Sequence, residues 1–182
     1  VNMFSVMYVG MAPLVAVSAI ISEEKEKNTL RVLMMANVTP GQYLAGIGGY
    51  VFLACMAGAA FFCAISGREG FREKGLFLLI MAVGILASMV LGAAIGAGTA
   101  NQMAATSVTV PVMMIFSFLP MLSMFNETIK KIAEITYSQQ ISLLFNGLGE
   151  DYMRSVMIVA ANMIAFGGLF VLLYKKGGLC RG

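Results

Sequence analysis

The feature that most limits how this chain can fold is where its charges are absent. All of its Asp, Glu, Lys and Arg residues fall in five clusters, at 23 to 31, 68 to 74, 127 to 134, 150 to 154 and 175 to 181, and the stretches between carry none. A bilayer hydrocarbon core of about 30 Å needs roughly 20 apolar residues in a helix to cross it, and every charge-free stretch except 135–149 is long enough, that of 75–126 for two crossings. Five spans follow: Val1 to Ile21, Leu44 to Ser66, Leu76 to Gly98, Ala104 to Phe125 and Ser155 to Tyr174. Composition agrees, with 59% hydrophobic and 12% charged residues and a mean hydropathy of +0.87, far from the balance of a soluble domain. The expected fold is all-α, a single polytopic membrane domain over 1–182.

Several chemistries drop out at once. The chain has no GxxxxGK[ST] phosphate loop, so P-loop ATP hydrolysis by this chain is not expected. It has no histidine, which removes histidine-dependent hydrolysis and most zinc sites. Cys55, Cys63 and Cys180 lack CxxC spacing and read as packing residues or a free thiol rather than a metal or redox site. No catalytic residue, metal site or bound cofactor is expected. Because the five spans contain no Asp, Glu, Lys, Arg or His, proton-coupled transport by titrating groups inside the membrane is disfavoured. The remaining polar residues, Asn101, Gln102, Thr106, Ser107, Thr109 and Asn162, read as interhelical hydrogen bonders or loop residues, with substrate ligands as the alternative.

The segment from Ser22 to Tyr43, SEEKEKNTLRVLMMANVTPGQY, reads as a short amphipathic helix at the membrane surface. Ser22 is placed to cap it, Glu23 and Glu24 to sit at the positive end of its dipole, and Glu23 with Lys27 to form an i,i+4 pair. Leu30, Leu33 and Met34 make one apolar stripe, and Pro40 with Gly41 ends the helix. Such a helix either joins two spans or docks a soluble partner.

Two further patterns stand out. Gly84, Ser88, Gly92 and Gly96 recur every fourth residue, which brings a neighbouring helix close; that neighbour is another span of the same chain, or a second copy at a dimer or gate interface. Pro120 predicts a break near the end of the fourth span. After it, Ile129 to Ile135 is amphipathic and reads as a short helix in the outer connection. The loops do not set the orientation: six of the twelve Lys and Arg fall on each side, and the positive-inside rule is silent.

The run from Glu24 to Gly46, EKEKNTLRVLMMANVTPGQYLAG, resembles the E-K-E-x-x-T-L-x-x-L segment that follows the second membrane helix of ABC-2 type transporter permeases. Glu24, Glu26, Thr29, Leu30, Leu33 and Pro40 match that pattern. The order of spans resembles the family along essentially the whole chain, including a partly re-entrant stretch before the last span. Family members carry a further membrane helix, and often an extracellular domain, ahead of the matching part, so these spans correspond to the second to sixth helices. The resemblance implies that the surface helix is a cytoplasmic coupling helix seated in a separate cytosolic ABC ATPase subunit. ATP and magnesium would then be held by that partner. It further implies a homodimer or heterodimer of permease chains in the cell membrane, with the 22 to 43 loop and the C-terminus cytoplasmic. No nucleic-acid partner is expected. The alternatives are a non-transporting membrane scaffold or assembly factor, and a membrane-embedded enzyme.

Overall fold

The computed structural model describes residues 1–27, 35–36, 39–67, 70–145 and 152–179. Among these, seven helices form and no strand: α1 (Asn2–Glu26), α2 (Pro40–Ile65), α3 (Phe71–Gly98), α4 (Gln102–Leu122), α5 (Glu127–Ala133), α6 (Tyr137–Phe145) and α7 (Tyr152–Leu179). Five of them, α1, α2, α3, α4 and α7, are long and apolar enough to cross a membrane. The chain is an all-α polytopic membrane protein, and the charge-free stretches mark its spans to within a few residues.

The core is built around α1 and α3. Val9, Leu14, Val17 and Ile21 of α1 and Met81, Ile85, Ala87 and Ala93 of α3 are wholly buried. In lipid this burial is not driven by escape from water, because acyl chains are as apolar as leucine; close van der Waals packing carries the association instead. The stripe of small residues on α3 makes that packing possible. A Cβ on Gly92 would lie 2.5 Å from Leu14 O, one on Gly96 2.9 Å from Ser18 O, and one on Gly84 2.7 Å from a Val9 methyl. All three contacts are with α1, so the stripe faces a helix of the same chain.

Ser88, the fourth member of the stripe, meets a defect in α1. Pro13 lies inside α1 and has no N–H to offer the carbonyl four residues earlier, that of Val9. Ser88 Oγ donates to that carbonyl at 2.6 Å and lies 2.9 Å from the Tyr137 hydroxyl. Since serine has one proton and Val9 takes it, Tyr137 donates to Ser88. A proline gap in one helix is thereby closed by a second helix and tied to a third.

The connection between α4 and α7 dips into the bundle. α4 runs through Pro111 and continues two residues past Pro120 to Leu122. α5 follows, capped by Asn126, whose side chain accepts from Thr128 N and Ile129 N. α6 then lies along α3: Phe145 packs on Phe77 with ring centroids 4.9 Å apart, Ile141 lies against Gly84, and Tyr137 reaches Ser88. Phe77 and Ser88 are eleven residues apart on α3, about 16 Å along a helix, so α6 runs from about the middle of α3, at Tyr137, back towards its start, at Phe145. Two of its polar residues are satisfied internally, Gln139 by Ser123 at 3.0 Å and Gln140 by Glu134 O, while the buried Ser138 hydroxyl has no hydrogen-bond partner among the described residues. This is the re-entrant segment.

The outer faces of α2 and α7 are apolar and exposed, with Leu53, Phe61, Ile164 and Leu172 all pointing outward, as lipid contact requires.

Candidate functional site

The charged end of α1 gathers four helix ends. α1 does not stop at Ile21. It continues through Ser22 to Glu26, and the Ser22 hydroxyl, fully buried, donates to Ala19 O at 3.0 Å. Ser22 is therefore a helix-interior residue and not the cap of a separate surface helix. An N-cap needs a non-helical backbone, and here the apolar span and the charged segment form one continuous helix. Glu23 and Glu24 consequently sit at the negative end of a helix dipole, which disfavours them, and each has an offsetting partner.

Glu23 pairs with Lys27 at 2.5 Å. Its hydrogen bond and its charge hold the Lys27 ammonium above the usual lysine range, though both groups are well exposed and the pair adds little stability. Glu24 accepts from the Tyr43 hydroxyl on α2, and the Tyr43 ring packs against Tyr174 of α7. Lys25 Nζ donates to Ala97 O near the C-terminal end of α3 at 2.7 Å. Glu26 accepts from Gln102 N, the first residue of α4, at 3.0 Å. Three successive residues of α1 thus engage α2, α3 and α4.

Beyond Lys27, Thr29, Leu30, Leu33 and Met34 lie outside the described residues. Met35 and Ala36 follow and are exposed. Pro40 takes the first position of α2 rather than the end of a preceding helix. Its fixed φ suits a helix start, and a capping box frames it, with Thr39 accepting from Gln42 N at 3.3 Å and Gln42 accepting from Thr39 N at 3.1 Å.

The second feature is the outward face of α4. Gln102, Met103, Thr106, Ser107, Val110 and Pro111 border a shallow concavity on it. Thr106 and Ser107 are exposed, yet their hydroxyls bond back to Gln102 O at 2.9 Å and Met103 O at 3.0 Å, which makes a polar strip tolerable beside lipid or a partner chain. Thr109 points the opposite way and meets Ser18 of α1. Asn162 reaches from α7 to Ile135 O at 2.9 Å. At the other end of the bundle a cavity of about 400 Å³ is lined by Asn2, Ser66, Ser117 and Ser142 among methionines.

The bundle of five spans and the charged turn that ends its first helix fall within a known family. The family model for ABC-2 family transporter protein matches residues 1–174. The chain belongs to this family. No curated protein and no solved structure matches it. As an ABC-2 chain it is the membrane-spanning permease component of an ABC transporter. The match extends over all five spans and both short helices, so the charged end of α1 and the dipping α5–α6 connection are parts of the family domain.

Glu24 and Glu26 match the family segment, yet both carboxylates bond within this chain, to α2 and α4. The sequence points to a partner for them because a charged cluster after a span faces water by default. Glu24 turns to Tyr43 of α2, and Glu26 is reoriented by the turn at 99 to 101, which brings the start of α4 beside the end of α1, a contact between residues more than seventy positions apart.

Proposed function

We propose that this permease exports its cargo with energy from a separate cytosolic ATPase, which docks on the segment after α1, and that two permease chains act together. The observation that carries this reading is the charged turn Glu24–Lys25–Glu26: it ties α2, α3 and α4 to the residue from which the surface segment departs, so a force applied there is delivered to the whole bundle. A soluble motor needs such a point of purchase, since the five charge-free spans read from the sequence hold no Asp, Glu, Lys, Arg or His to drive. ATP and magnesium belong to the partner. The surface segment and the C-terminus are cytoplasmic in this arrangement, and the membrane is that of the cell. The polar strip on α4 supports pairing, because hydroxyls on an outward face are better matched by a second chain or a passing cargo than by acyl tails.

The test is recovery of the ATPase with the permease. In the docked arrangement Leu30 and Leu33 are apolar anchors, each contributing roughly 1–3 kcal/mol of docking, with charged rim residues contributing less. Leu30→Ala with Leu33→Ala should lose the ATPase in a pull-down at equal membrane expression and stop flux. Equal recovery of the ATPase by wild-type and double-variant protein would leave the segment as a mere linker.

A further inference from the structure

The inner faces of α1 and α4 meet along a seam with close contacts at regular intervals. At one end Ser117 lies against Gly10, whose added Cβ would come within 2.8 Å of the serine hydroxyl. In the middle the Ser18 and Thr109 hydroxyls are 2.8 Å apart, both side chains buried. At the charged end Glu26 accepts from Gln102 N at 3.0 Å. The positions step through 10, 18 and 26 on α1 and through 117, 109 and 102 on α4. Each step is about two helical turns, so the contacts fall on one line of an antiparallel pair that keeps the same faces together along its length. A slip of one residue would undo all of them.

The charged end adds a clasp. Lys25 holds a carbonyl in the last turn of α3 and Glu26 holds the first N–H of α4, each with the sign of charge that its helix end favours. Two adjacent residues of α1 therefore grip both sides of the turn at 99 to 101.

We infer that Ser18, Glu26 and Thr109 are positioning residues that fix the register of α4 on α1, so that the two helices move as one piece and a displacement at Lys27 reaches the outer face of α4. The inference rests on the reading of this chain as a driven permease. Under it, the boundary that opens during the cycle lies on the outward side of α4 and not between α4 and α1.

Two measurements test it, both in the full chain with Cys55→Ala, Cys63→Ala and Cys180→Ala. The first needs no ATPase. Spin labels at the exposed positions Lys27→Cys and Met103→Cys, in vesicles of phosphatidylethanolamine and phosphatidylglycerol, should give a narrow distance distribution by pulsed electron paramagnetic resonance. Glu26→Ala should raise the displaced population roughly two- to fivefold, the loss expected for one exposed charged cap, and Glu26→Asp should restore much of it. An unchanged distribution in Glu26→Ala would overturn the clasp.

The second uses Ser18→Cys with Thr109→Cys, oxidised to a disulfide in the reconstituted complex. The cross-linked protein should keep its ATP-dependent flux, equal before and after reduction. Flux lost on cross-linking and regained with reductant would overturn the single-body claim, and failure of the disulfide to form would contradict the contact itself. If the unmodified complex shows no nucleotide-dependent flux, the permease reading falls while the label distances still decide the register of α4 on α1.

Discussion

Among the described glycines, Gly92 faces the nearest backbone obstacle, at 2.5 Å. A methyl group there would meet a backbone oxygen of α1, which cannot rotate away as a side chain could. Gly92→Ala should therefore push α3 off α1 and cost roughly 1–3 kcal/mol, the usual penalty for overpacking a tight interior. Gly168→Ala, where nothing lies within 4 Å, should be close to neutral. Thermal unfolding of both variants in detergent, followed by fluorescence-detected size exclusion, checks the pair. Ser88 offers a finer probe. Ser88→Ala strands Val9 O beside Pro13 and the Tyr137 hydroxyl together, and should lower stability by about 0.5–1.7 kcal/mol, the range of interhelical hydrogen bonds in membrane proteins. Tyr137→Phe removes only the outer link and should cost less. Equal losses for the two would mean that the proline gap is not what Ser88 closes.

Among the elements, the descent of α6 has the most direct readout. Cysteines placed at Tyr137 and Ile141 should resist a membrane-impermeant maleimide, while those at Met124 and Thr128 should react from one side of the membrane. Ready labelling at Ile141 would place α6 at the surface instead. Of the long elements, nearly all was legible in the amino-acid order, because twenty uncharged residues in a row have few other uses. The small-residue stripe was legible as a close contact, but the identity of its neighbour was not, since Gly84 to Gly96 look the same facing α1 or a second chain. One feature escaped. The end of α1 reads as a new helix because Ser, Glu, Glu is a good start signal; the same residues continue a helix when Tyr43 and Lys27 offset their charge. The partly re-entrant stretch was expected from the family resemblance and not from the residues Thr136 to Gln140 themselves, since polar groups are costly in hydrocarbon and only the folded bundle supplies their Ser88, Ser123 and Glu134 partners.

For the molecule as a whole, the proposed arrangement makes two expectations that do not depend on the cargo. An impermeant thiol reagent should reach Arg72→Cys from outside intact cells and Lys27→Cys only after permeabilisation; the reverse result would invert the protein in its membrane. Purified alone, the chain should show no magnesium-dependent ATP turnover, and turnover by a contaminant-free preparation would remove the need for a separate motor.

The placement of charge at helix ends has an electrical consequence. Every Asp, Glu, Lys and Arg described lies within a few residues of a span's end or in the connection between α4 and α7, beyond most of the drop in membrane potential. One elementary charge carried across that drop is worth about 2.3 kcal/mol per 100 mV, and here the protein moves almost none of its own. Its conformational steps should therefore be electrically silent. Whatever slope appears when flux is measured against an imposed potassium diffusion potential belongs to the cargo, so the sign of that slope reads out the charge of a substrate that need not first be named.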